Sequence, residues 1–230
     1  RYDEPFAGFL ASNAYLAMNA LESLSHFLPE LFLLTGAFFV LLLDLFLKQK
    51  KMLGLTAFLI LVATALLTQA PAASAGLFFG FFTLDSLTHF FRLAVCGMTA
   101  TTILASLAYR ALPQRQEGEY YSLLLFMAFG LILMAGATNL LMIALSIEFV
   151  SILSYILTGF LRCDLKAKEA AMKYLLYGSV ASAVMLFGMS LAFGASGGAL
   201  ELSALATALS PASLQPVALV SFLLILTGLG

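Results

Sequence analysis

Seven apolar stretches run along the chain, at about 27–47, 52–69, 84–109, 119–137, 139–161, 167–194 and 213–230. Each is near the roughly 20 residues that a helix needs to cross a bilayer core. Polar and turn-forming residues separate them. The pattern predicts an all-α polytopic membrane protein with six complete transmembrane helices and a truncated seventh. Residues 1–23 are mixed, holding Arg1, Asp3, Glu4, Asn13, Asn19 and Glu22, and read as a leader or an interfacial helix. The chain lacks an initiator Met and stops inside an apolar run, so it reads as a piece of a longer protein.

The charges refine this picture. Lys48, Lys50 and Lys51 follow the first stretch, Arg110 and Arg115 the third, and Arg162, Lys166 and Lys168 the fifth. The connections at 70–83, around 138 and at 195–212 hold no Lys or Arg. Eight of the eleven basic residues thus lie in every second loop. By the positive-inside rule those loops face the cytoplasm or its equivalent, which places the N-terminus outside. The other connections are rich in small and turn residues, as in Gln69-Ala-Pro-Ala-Ala-Ser-Ala-Gly76 and around Ser210-Pro211, and read as plain linkers.

Composition agrees. The chain is 62% hydrophobic and 10% charged, with mean hydropathy +1.04. A soluble domain averages about 45–50% apolar and about 25% charged. Folding in water cannot hide so much apolar surface. This excludes a soluble enzyme, a nucleic-acid binder and a disordered chain. The net charge of −1 says little about partners. Cys96 and Cys163 suggest neither a disulfide nor a metal site. There is no CxxC, HExxH or P-loop, and the two histidines, His26 and His89, are too few to ligate two haems.

The ionisable residues inside the stretches carry the functional signal, because a charge at the bilayer centre costs roughly 2.5–3.5 kcal/mol on insertion scales. Glu148 lies nine residues into the fifth stretch, roughly 13 Å deep and so near the midplane. Ser151 and Tyr155 share its face at i+3 and i+7. Either Glu148 exchanges a proton or pairs with a moving charge, or it is a static buried carboxylate that ties helices together. Lys173 lies six residues into the sixth stretch, with Glu169 at i−4 as a possible partner. It suits a relay amine, or it snorkels to the interface. Asp85, His89 and Arg92 follow at i, i+4 and i+7 where the third stretch begins. They form an ion-pair cluster near the outer surface, or a proton exit or subunit-coupling site. Glu30, after Pro29, suits a helix N-terminus, and Asp44 has Lys48 at i+4; both read as structural.

Three elements then come in order: Ser146-Ile-Glu148-Phe-Val-Ser-Ile-Leu-Ser-Tyr155, Lys168-Glu169-Ala-Ala-Met-Lys173-Tyr174, and Gly194-Ala-Ser-Gly-Gly198. The patterns E-x2-S-x2-S-Y, E-A-x2-K-Y and G-x-S-G-G resemble the antiporter-like subunit N (organellar subunit 2) of the proton-pumping NADH–quinone oxidoreductases, densely over 140–200 and more loosely over 24–139. The resemblance implies an antiporter-like fold of about fourteen helices containing two inverted five-helix repeats. Residues 24–118 would then be the first three helices, and 119–230 an incomplete first repeat. It further implies a proton-relay role for Glu148 and Lys173, which would form a switchable ion pair, with Asp85, His89, Arg92, Ser151, Tyr155 and Glu169 as accessory candidates. The channel lysine of the seventh helix would follow Gly230. NADH, FMN, iron–sulfur clusters and quinone would be handled by other subunits, with no cofactor, metal or nucleic acid bound by this chain. The expected partners are the neighbouring membrane-arm subunits and the lipid of the cell inner membrane, or of an organellar or thylakoid membrane. Two other readings stand beside it: a subunit of a multisubunit cation/proton antiporter, and a structural membrane subunit that spaces active partners.

Overall fold

A computed structural model describes residues 23–47, 51–68, 75–78, 81–108, 116–208 and 216–229. All seven apolar stretches contain a helix. These are α1 (Leu28–Phe46), α2 (Lys51–Leu67), α3 (Ser86–Ala108), α4 (Glu117–Gly136), α5 (Leu140–Thr158), α6 (Leu165–Ala195) and, after the short α7 (Leu202–Ala208), α8 (Pro216–Leu229). Five are long and apolar enough to cross a membrane; α2 and α8 are shorter apolar helices. Residues 1–22 of the expected leader (1–23) and the loop residues Lys48, Lys50, Arg110 and Arg115 lie outside the described residues.

Local chemistry sets the helix starts. The Asn139 side chain accepts the Leu141 N–H at 2.9 Å, and Asp164 accepts the Lys166 N–H at 2.9 Å, so both satisfy orphan donors of a first turn. Pro29 stands in the first turn of α1, where its missing N–H costs nothing.

Helix α4 is the hub, packing against α1, α2, α3 and α5. The buried residues recur at helical spacing: Leu33, Ala37 and Val40 on α1, Leu53, Ala57 and Leu61 on α2, and Leu125, Ala128 and Ile132 on α4. Helix α5 links this bundle to α6, which packs closely on α8. A Cβ at Gly188 would lie 2.8 Å from the Ile225 nitrogen, and one at Gly228 would lie 2.6 Å from the Ala181 carbonyl oxygen. Small residues therefore bring these two backbones together, the usual device of helix packing in lipid. The outward faces are apolar. Leu141, Leu145, Phe149, Ile152 and Ile156 make an exposed stripe along α5, as a bilayer-facing helix requires.

Two linkers hold more structure than their composition suggested. Residues 75–77 and 82–84 form an antiparallel hairpin, β1 (Ala75–Leu77) and β2 (Phe82–Leu84), with Gly76 opposite Thr83. Its Phe82 bridges to Ala137, and Asn139 bridges to Glu201, so main-chain bonds join the connections at this end of the bundle. The segment 195–212 contains α7 rather than only a turn.

Candidate functional site

Helix α5 places Glu148 halfway along its length, half-buried. Glu148 Oε1 is inaccessible and has no hydrogen-bond partner among the described residues. From this carboxylate toward the α5–α6 turn, the helix presents hydroxyls. Ser154 donates to the Ser151 carbonyl at 2.7 Å, and its oxygen lies 3.2 Å from the Tyr174 hydroxyl on α6. The Tyr155 and Tyr174 rings pack edge to face, 4.8 Å between centroids. Gly178 makes room for them, because a Cβ there would lie 2.7 Å from Tyr155 Cζ.

Lys173 pairs with Glu169 one turn earlier on α6, Nζ to Oε1 at 2.6 Å, as the i−4 spacing predicts. Both side chains are 65% exposed, so the pair itself adds little stability. Glu148 and Lys173 are not brought together as a direct ion pair. The antiparallel register sets Gly159 against Ala171 and Tyr155 against Tyr174. It leaves Lys173 level with residues near 157 of α5, roughly 13 Å along the axis from Glu148. An ion pair needs its charged atoms within about 4 Å.

The Asp85, His89 and Arg92 cluster also separates. Asp85 precedes α3 and accepts the Thr88 N–H at 2.7 Å, which lowers its carboxyl pKa below the ordinary carboxylate value. His89 Nδ1 is buried without a hydrogen-bond partner among the described residues. Arg92 leaves both and forms an ion pair with Glu30 of α1. The Arg92 and Glu30 side chains are only 4% and 1% exposed. The guanidinium also sits 5.9 Å from the Phe82 ring centroid, under the hairpin. The sequence reading placed Glu30 only at a helix start and missed its partner. The signal available was positional: Glu30 and Arg92 enter the first and third apolar stretches from the same side of the bilayer.

Among the described residues, no group of three or more His, Cys, Asp or Glu side chains is placed to hold a metal ion. Cys96 is buried and Cys163 exposed, and both are free. A groove of about 440 Å³ between α6 and α8 is lined by Ser179, Val180, Ala183, Val184, Phe187 and Leu224.

Residues 137–230, which hold α5 to α8, match the family described as NADH:quinone oxidoreductase/Mrp antiporter, TM. NADH-quinone oxidoreductase subunit N of Dehalococcoides mccartyi is 40% identical over 178 residues, covering 74% of this chain and 36% of that protein. NAD(P)H-quinone oxidoreductase subunit 2, chloroplastic, of Chlorokybus atmophyticus is 38% identical over 189 residues, covering 80% of this chain and 37% of that protein. The chain therefore spans about a third of the length of the curated relatives it matches. Among solved structures, a chain of respiratory complex I from Thermus thermophilus aligns with TM-score 0.67 at 28% identity, over 88% of this chain and 43% of that one. A chain of the Mrp complex from Dietzia sp. shares the fold, with TM-score 0.69 at 22% identity, over 88% of this chain and 23% of that one.

Proposed function

Since residues 137–230 belong to the NADH:quinone oxidoreductase/Mrp antiporter transmembrane family, and the chain is homologous to NADH-quinone oxidoreductase subunit N, we propose that it serves in the membrane arm of such a complex, where it takes part in proton translocation coupled to quinone reduction. The observation that carries this reading is Glu148. It is the only charged residue of the spanning helix α5, halfway along it, with a buried oxygen that no donor among the described residues satisfies and a run of hydroxyls toward the α5–α6 turn. A buried carboxylate of this kind takes up and releases a proton without any bound cofactor. Lys173, paired with Glu169 near the basic end, is a second protonatable group on the neighbouring helix.

In this reading the chain carries no redox centre. NADH, FMN, iron–sulfur clusters and quinone belong to other subunits, and redox energy reaches Glu148 through conformational change in neighbouring membrane subunits. The whole assembly is then a translocase, and this chain supplies part of its proton path. The basic loops face the cytoplasm or its equivalent, and the hairpin end faces outward.

A cation/proton antiporter subunit is the second reading, and the shared fold with the Mrp complex favours it. The relatives at 38–40% identity carry the quinone oxidoreductase name, which supports the first. Affinity purification of the full-length protein from its native membrane decides between them. The respiratory reading expects flavin- and iron–sulfur-containing subunits in the purified material, with NADH:quinone activity that is lost when the gene is deleted. Recovery of a flavin-free cation-transport assembly overturns it.

A further inference from the structure

The hairpin is anchored from within by one side chain. Phe82 is 1% exposed, and its ring is held from three sides. Phe27, just before α1, packs on it edge to face at 5.6 Å between centroids, and the Arg92 guanidinium of α3 lies over it at 5.9 Å. The third side is a notch in α4. A Cβ at Gly136 would lie 2.9 Å from Phe82 Cε1 and closer still to Cε2 and Cζ, so the last turn of α4 admits the ring because residue 136 has no side chain. The main chain continues the attachment. Phe82 bridges to Ala137, and the Thr138 N–H donates to the Phe81 carbonyl at 3.2 Å. On the other side of the same segment, Asn139 bridges to Glu201, the Leu140 N–H donates to the Leu200 carbonyl at 2.8 Å, and the Leu202 N–H donates to the Thr138 carbonyl at 3.0 Å. Residues 137–140 thus form the middle line of a three-segment clasp, and α5 leaves directly from it.

We propose that Phe82 is a positioning residue for Glu148: seated in the Gly136 notch, it locks the hairpin to the α4–α5 junction and so fixes the depth and rotation of α5. The proposal rests on the role given above to Glu148 and says what holds that carboxylate in place. Glu148 lies nine residues beyond Asn139 in unbroken helix, roughly 13 Å at 1.5 Å per residue. A hydrogen-bonded helix passes a displacement of its first turn along its length, where a loop would absorb it. A proton moves to or from a carboxylate when the two oxygens stand about 2.5–3.0 Å apart, so a shift of α5 by about 1 Å stops the transfer. The outward side chains of the same helix, such as Leu145 and Ile152, tolerate that shift, because dispersion contact with lipid chains has no fixed partner. The clasp therefore bears on proton movement more than on cohesion. Glu30 and Arg92 support it from behind, since their buried pair holds the guanidinium against the Phe82 ring.

The test uses the intact complex in sealed vesicles and measures protons moved per electron, the NADH:quinone rate and the amount of assembled complex. E148Q fixes the scale of loss. G136A drives a methyl group into the Phe82 ring. It is expected to lose at least half of the protons per electron that E148Q loses, while the assembled complex keeps an electron-transfer rate close to the parent's. F82L removes the edge of the ring that the methyl meets, so G136A/F82L is expected to recover much of the loss. F82A unseats the hairpin without a clash and carries the same expectation as G136A should G136A not assemble. L84A removes a buried side chain of the same hairpin core but leaves the notch alone, since the three atoms nearest a Cβ at Gly136 all belong to Phe82. It is expected to lower the thermal midpoint and leave the proton ratio near the parent's. If G136A and F82A keep the parental ratio while E148Q does not, the positioning role is wrong and the role of Glu148 stands. If L84A lowers the ratio as far as G136A does, or F82L fails to rescue G136A, the effect is hairpin stability alone and the proposal is overturned. If E148Q pumps normally, the underlying reading fails.

Discussion

The Glu30–Arg92 pair offers the sharpest physical prediction. It joins α1 to α3 beneath the hairpin, and both side chains are almost wholly buried. Two unit charges 4 Å apart attract by roughly 4 kcal/mol at an effective dielectric near 20. Burying both charges offsets most of that gain, so the pair's net contribution is small. Removing one partner is different, because it strands the other charge in an apolar surround. E30Q leaves the Arg92 guanidinium, which does not deprotonate in proteins, without a counter-ion. R92L leaves the Glu30 carboxylate in the same position and also removes the contact with Phe82. Each single variant is expected to cost about 3–5 kcal/mol. That loss should lower the thermal midpoint of each single variant. The double variant E30Q/R92L leaves no stranded charge and is expected to be more stable than either single one. Thermal unfolding of the purified complex in detergent, with membrane abundance as a second readout, supplies the double-mutant cycle. Additive losses, or a single-variant loss below about 1 kcal/mol, would refute the claim that the pair is buried and mutually compensating.

Other outcomes follow from single contacts. G178A should force Tyr155 to shift and cost about 1–3 kcal/mol by overpacking, read as a lower thermal midpoint with partial loss of proton translocation. D85A should cost about 1 kcal/mol by removing the cap on α3, while D85N, which still accepts the Thr88 N–H, should lose less. The Asp85 carboxyl is lowered from its ordinary value, so its small contribution is fully present above the unfolded pKa near 4 and is lost as pH falls through the folded one. Acid titration of stability should therefore be shallower in D85N than in the parent. Cys163 is exposed at the α5–α6 turn and Cys96 is buried, so a membrane-impermeant maleimide should label Cys163 from the cytoplasmic side alone and leave Cys96 untouched. Labelling of Cys163 from the opposite side reverses the assigned orientation.

The helices were legible because lipid demands long apolar runs, and such runs leave a signal that no tertiary contact needs to supply. The Lys173–Glu169 pair was legible for the same reason: an i,i+4 contact is fixed by the helix itself. The hairpin was not. Its segment, Gly76-Leu-Phe-Phe-Gly-Phe-Phe-Thr-Leu84, has no polar alternation, and its pairing is completed by a bridge from Phe82 to the distant Ala137. The Glu30–Arg92 pair was not either, since the helix that Arg92 meets depends on packing order rather than on spacing along α3. Glu148 was identified from its depth alone, but its distance from Lys173 follows from the α5–α6 register, which Gly159, Ala171, Tyr155 and Gly178 set through side-chain contacts.

Whether Glu148 moves protons is read from the ratio of protons translocated to electrons transferred in the complex bearing E148Q. Gln keeps the size of the side chain and its place on α5 but cannot ionise. A carboxylate that carries protons gives a lower ratio in the assembled E148Q complex, with E148D recovering much of the loss. An E148Q complex that pumps as many protons per electron as its parent would contradict it.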